Sequence, residues 1–103
     1  MQKYISFLHL TEQGQVLPPE ETAGVYAKML AITESFGGKT LEVWTAGGDY
    51  DFVAISEYPT IEAAYKAGVK VNQLGVIRVV GGPTFPVETF ISTASEQREP
   101  VAV

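Results

Sequence analysis

Four residues in this sequence combine into something chemically specific: Trp44, Tyr4, Tyr58 and Arg78. Aromatic rings with one fixed cation suit a flat anionic or phenolic ligand. A cavity so lined can orient a substrate for oxygen addition or proton transfer without a metal. The same residues can instead be packing, with an interchain ion pair from Arg78 to Glu42, since an unpaired buried guanidinium is costly. His9 is the single histidine. It can act as a general base, a proton donor or a haem ligand, or as a hydrogen-bonded residue ending a strand. Asp49 and Asp51 flank Tyr50. Two carboxylates at that spacing can hold Mg²⁺ or Ca²⁺. No further oxygen ligands stand near them, so they read as a turn aspartate and a strand-end aspartate. Gly37-Gly38-Lys39-Thr40 imitates the end of a phosphate-binding loop, but it closes a helix and leads into a strand, so it reads as a helix cap.

Composition narrows the chemistry further. The chain has 103 residues, with 7 Lys plus Arg against 12 Asp plus Glu, and a net charge of −5. Cysteine is absent, which excludes disulfides, thiol nucleophiles and cysteine-based metal sites. One histidine excludes a multi-histidine metal site within one chain. No metal and no cofactor is expected, and no nucleophile–base pair is readable. The basic residues are scattered, as phosphate-backbone binding does not allow, so no nucleic-acid partner is expected. No apolar run approaches the ~20 residues of a membrane span, and the first residues lack a signal-peptide pattern. A cytoplasmic protein without a membrane partner is the expectation. Hydrophobic residues make up 46% and charged residues 18%, against roughly 25% charged in an average soluble protein. Such a chain is too apolar for disorder and has little charge to coat a small surface, so some apolar surface is expected to meet a partner.

These residues must be positioned by a short series of elements. Residues 3–10 read as a strand, and Thr11 to Gly14 as a polar turn. Pro18 and Pro19 open a helix whose Val25, Met29, Ile32 and Phe36 form one buried stripe, closed by Gly37 and Gly38. Residues 40–46 and 50–58 form a hairpin around Gly47 and Gly48. Thr60 caps a second helix with Ile61, Ala64, Gly68 and Val71 inward, ended by Gly75. Residues 76–80 make a fourth strand, broken by Gly81-Gly82-Pro83. Pro86 opens a third short helix through about residue 95. The order βαββαβ gives an α+β, ferredoxin-like sandwich in which four antiparallel strands carry two helices on one face. Residues 1–95 form one domain, and 96–103 a polar tail.

Strand alternation sorts the sheet into two faces. Ile5, Phe7, Leu41, Val43, Val53, Ile55, Ile77 and Val79 are expected toward the helices. The other set holds Tyr4, Ser6, Leu8, Glu42, Trp44, Phe52, Ala54, Ser56, Tyr58, Val76, Arg78 and Val80. That second set is too apolar to stay wet, so another copy of the chain is expected to cover it. Its members Tyr4, Glu42, Trp44, Phe52, Tyr58 and Arg78 are the candidate ligand site, lining a cavity between the packed sheets. A dry interface with Glu42 and Arg78 at the rim is the alternative. His9 and Asp51 are expected on the helix side.

Thr11-Glu12-Gln13-Gly14 after the first strand, Gly37-Gly38-Lys39 after the first helix, and Gly48-Asp49-Tyr50-Asp51-Phe52-Val53 entering the third strand together resemble the GYD-domain family. The resemblance runs over roughly residues 3–92. It implies membership of the dimeric α/β-barrel group of ferredoxin-like proteins, in which two sheets pack face to face. That group includes cofactor-free monooxygenases, haem-dependent enzymes, isomerases and ligand-sensing domains. It implies a structural hydrogen-bonding role for Asp51. The expected protein is a homodimer, or a multiple of dimers, binding a small metabolite between packed sheets, with cofactor-free oxidation or isomerisation as the reaction class of an enzyme. The alternative is a non-catalytic assembly or sensory module.

Overall fold

The computed structural model of the chain describes residues 1–97, with side chains through Thr93. The expected tail beyond that lies outside the described residues. The elements are β1 (Gln2–Leu10), α1 (Glu12–Gln15), α2 (Pro19–Ser35), β2 (Lys39–Thr45), β3 (Phe52–Tyr58), α3 (Ile61–Gln73), β4 (Ile77–Pro83) and α4 (Val87–Gln97). The strands form one antiparallel sheet in the order β2-β3-β1-β4. With α2 and α3 packed on one face, this is the ferredoxin-like α+β arrangement that the element order implies. Among the described residues, no helix is long and apolar enough to cross a membrane.

Local chemistry sets the element ends. The Thr60 hydroxyl accepts a hydrogen bond from the Ala63 N–H at 3.1 Å and so caps α3. Gly75 follows that helix with φ 77°, the left-handed conformation that favours glycine. Thr11 to Gly14 is not a simple turn but enters the single helical turn α1. The Thr11 hydroxyl accepts from the Gly14 N–H at 3.2 Å and donates to the Gly75 carbonyl at 2.8 Å. Thr11 N–H donates to the Val76 carbonyl at 3.0 Å. Gly14 is buried against that same carbonyl, and a Cβ there would run into it. Gly14→Ala is therefore expected to cost about 2–4 kcal/mol by forcing this junction apart. Thermal unfolding should show a midpoint at least roughly 10 °C lower.

Gly81-Gly82-Pro83 does not break β4. The strand runs through it, with Gly81 opposite Ser6, Gly82 opposite Ile5 and Pro83 opposite Tyr4. β4 is an edge strand paired on one side only, where a proline is tolerated. At Gly81 the β1 backbone comes so close that a Cβ would meet the Ile5 carbonyl.

The face assignment of the two central strands is reversed from the sequence expectation. Tyr4, Leu8, Ala54 and Tyr58 are buried with Ala67 and Val71 of α3 and against Met29 and Ile32 of α2. Their neighbours Ile5, Phe7, Val53 and Ile55 take the uncovered face. β2 and β4 are as expected at Val43, Trp44, Ile77, Arg78, Val79 and Val80, while Val76 packs against the core. The physical reason is that β1 and β3 are apolar on both faces. Alternation then carries no contrast, and a one-residue choice flips every side chain. A register shift between Thr40 and Glu42 further places Thr40 and Val43 on the same face. In α3, Ala67 and Val71 point inward, whereas Ile61 is exposed.

Candidate functional site

The covered face of the sheet is built in cross-strand rows. Toward one end lies Thr40-Ser56-Tyr4-Pro83, toward the other Thr45-Phe52-Leu8-Val79, and between them Val43-Ala54-Ser6-Gly81. Three of the four residues in the middle row are small. Across from this face, α3 presents Ala64, Ala67 and Gly68, which are small as well. A helix layer laid on such a floor cannot fill the space with side chains. The result is a cavity of about 1030 Å³ between the helices and the sheet, with walls from α2, α3 and all four strands.

The polar groups of the cavity are few and neutral. Tyr4 and Tyr58 meet edge to face, with ring centroids 5.5 Å apart and planes at 81°. The Tyr58 hydroxyl donates to Thr33 Oγ1 at 3.3 Å, and that hydroxyl donates to the Met29 carbonyl at 3.1 Å. Ser6, Ser56 and Thr40 complete a hydroxyl-bearing end, and Leu8, Phe52, Ile77 and Val79 an apolar one. Among the described residues, no carboxylate, imidazole, ammonium or guanidinium lines it. Of the candidate ligand residues, Tyr4, Phe52 and Tyr58 stand in this cavity, on the helix side. Trp44 borders it at the β2 edge. Glu42 and Arg78 are on the opposite face of the sheet, so the imagined union of four aromatics with one cation does not form. Thr33, Gly68 and Gly81 were not among the sequence candidates. Their signal is smallness at facing positions, which becomes legible only once register is known.

The uncovered face is also built in rows. Trp44-Val53-Phe7-Val80 is an apolar row crossing all four strands, followed by Glu42-Ile55-Ile5-Gly82. One end of the face carries Lys39, Glu57 and Lys3, and the other carries His9 beside Arg78. Trp44 is 61% exposed, and its indole N–H donates to Glu42 Oε2 at 3.4 Å. An apolar centre between polar ends has the anatomy of an interface.

Asp51 ties that face to the hairpin. Its Oδ2 accepts from the Leu10 N–H at 2.7 Å and lies 3.4 Å from His9 Nδ1. Its own N–H donates to the Leu8 carbonyl at 2.9 Å. The Tyr50 ring packs on Phe7 with centroids 5.1 Å apart. His9 and Asp51 thus come together on the uncovered side, not the helix side, and Asp51 serves the β1 backbone. Asp51→Ala should cost about 1–2 kcal/mol through the lost charged hydrogen bond, read as a lowered midpoint in urea. Among the described residues, no group of acidic or histidine side chains is arranged to hold a metal ion.

Comparison with solved structures finds the same fold in a distant protein. The candidate chlorite dismutase TA0507 superposes with a TM-score of 0.53 at 15% identity, over 82% of this chain and 45% of that one. The chain thus spans less than half the length of that protein. SCO4226 from Streptomyces coelicolor A3(2) gives a TM-score of 0.47 at 14% identity, over 81% of this chain and 99% of that one. Comparison with curated proteins finds no match. The family model of the GYD domain matches residues 4–94, nearly the whole described chain. The matched span includes the stretch that packs Tyr50 on Phe7 and hangs the β1 backbone on Asp51, and the chain belongs to the GYD-domain family.

Proposed function

We propose that this protein holds a neutral, mostly apolar small molecule in the helix–sheet cavity, and that it does so as a homodimer or a multiple of dimers joined through the uncovered sheet face. The observation that carries this is the cavity itself: about 1030 Å³, lined by apolar groups, several hydroxyls and the Asn72 amide, with no charged side chain among the described residues. Pockets of that size and character suit drug-sized ligands. The hydroxyls of Ser6, Ser56 and the Tyr58–Thr33 pair would orient a carbonyl or hydroxyl at one end, while Leu8 and Phe52 receive the apolar body. Among the described residues the walls supply hydroxyls rather than a carboxylate or imidazole, an array suited to orienting a bound molecule through hydrogen bonds. The apolar row Trp44-Val53-Phe7-Val80 supports self-association, because a soluble monomer rarely exposes so continuous a patch.

Titration with N-phenyl-1-naphthylamine, a neutral apolar fluorophore, tests the ligand half. Trp44 is the single tryptophan and lies at the cavity border, so it can transfer energy to a bound dye. Saturable binding of one dye per chain with quenched Trp44 emission is expected. Absence of saturation up to the dye's solubility limit would refute it.

A further inference from the structure

We infer that α4 is an arm that docks on a second copy of the chain and closes the β4-side mouth of that copy's cavity. The inference rests on the self-association proposed above and adds a contribution of the partner to the site.

α4 carries Val87, Phe90 and Ile91 at helical spacing, preceded by Phe85. All four are exposed, Phe90 by 69%, and none joins either core cluster. The molecule is 60 Å long against 30 and 20 Å in its other dimensions, as expected of a body with a projecting arm. An 11-residue helix is marginal alone in water, so an apolar stripe on it needs a surface to fold against.

The exit of the arm directs it away from its own body. The Thr84 N–H donates to the Lys3 carbonyl at 2.9 Å, and the Thr84 carbonyl accepts from Gln2 Nε2 at 2.7 Å. β4 is thereby pinned to β1 up to its last residue. Pro86 then restricts Phe85 to extended backbone. The chain's own α3 starts at this same end of the sheet, since Tyr58 lies opposite Gln2. Reaching it would require a reversal within Phe85 and Pro86.

A matching surface exists on every copy. Ile61, Tyr65 and Val69 repeat every fourth residue of α3 and are all exposed, a stripe about 12 Å long. Tyr65 and Val69 also border the cavity, as does Val80 on the β4 edge. Helix-on-helix packing of α4 over this stripe would cover apolar surface on both elements and shut one mouth of the cavity. In a two-fold dimer each arm would do this for the other chain.

The absence of cysteine makes a clean test possible. Phe90→Cys and Tyr65→Cys are placed in separate full-length chains, one carrying a mass tag, which are mixed, allowed to exchange and oxidised. About half of the protein, the share that random exchange puts into mixed dimers, should become a covalent pair of mixed mass, and sedimentation of the unoxidised sample should show dimers. Two results overturn the inference alone: dimers that form no mixed pair, or a chain bearing both cysteines that bridges within itself. Monomers in sedimentation overturn it together with the self-association. As a second variant, Phe90→Glu should weaken dimerisation about tenfold; an unchanged dissociation constant would contradict a docked arm.

Discussion

Val53→Glu is expected to give a folded monomer in sedimentation velocity, at concentrations where the proposed self-association makes the unsubstituted protein a dimer. Val53 sits on β3 between Trp44 and Phe7, at the middle of the apolar row that crosses the sheet. In a single chain its side chain points away from both core clusters. A glutamate there would face water, and the cost to the isolated fold should stay near or below about 1 kcal/mol. In a dimer the same substitution buries two carboxylates, each costing several kcal/mol without a partner. The expected weakening exceeds about a thousandfold, or ~4 kcal/mol. A dimer that survives Val53→Glu would show that self-association, if present, uses another surface.

Gly68→Phe should make the protein more stable and at the same time unable to bind well. Gly68 lies inside α3, and a Cβ built on it meets nothing within 4 Å. A helix-interior glycine costs about 0.5–1 kcal/mol relative to alanine, so replacing it improves the helix. The added ring enters the cavity and supplies contacts its walls lack. Dye affinity should fall at least about tenfold, or ~1.4 kcal/mol, while the unfolding midpoint in urea rises. The two opposite signs separate a filled site from a damaged fold, because a damaged fold lowers both. Unchanged dye affinity would place the dye elsewhere.

Much of the fold was legible because it was written in local chemistry. Thr60, Gly75 and the stripe Val25-Met29-Ile32-Phe36 mark α2 and α3 without reference to tertiary contacts. Which face of β1 and β3 turns inward was not legible. Tyr4 and Leu8 compete with Ile5 and Phe7, and both pairs are apolar. The outcome depends on cross-strand register, which places Ser6, Ala54 and Gly81 in one row and leaves a gap beneath the helices. The candidate site inherited that ambiguity. Tyr4, Phe52 and Tyr58 belong to the cavity, but Glu42 and Arg78 lie across the sheet from it. His9 and Asp51, expected on the helix side, mark the end of the uncovered face instead. The role of Asp51 was implied in kind by the family resemblance, and an acid at a strand entry can take a backbone N–H. Its partner, Leu10, is 41 residues away and had to be seen.

The central claim is that a ligand enters between helices and sheet, and methyl nuclear Overhauser contacts with bound N-phenyl-1-naphthylamine test it most directly. Ala54 and Ala67 report the cavity, and Val53 and Ile55 report the opposite face of the same sheet. Dye contacts to Ala54 and Ala67, with none to Val53 and Ile55, are the predicted result. Contacts to Val53 and Ile55 alone would put the ligand between packed sheets and contradict the helix-side site.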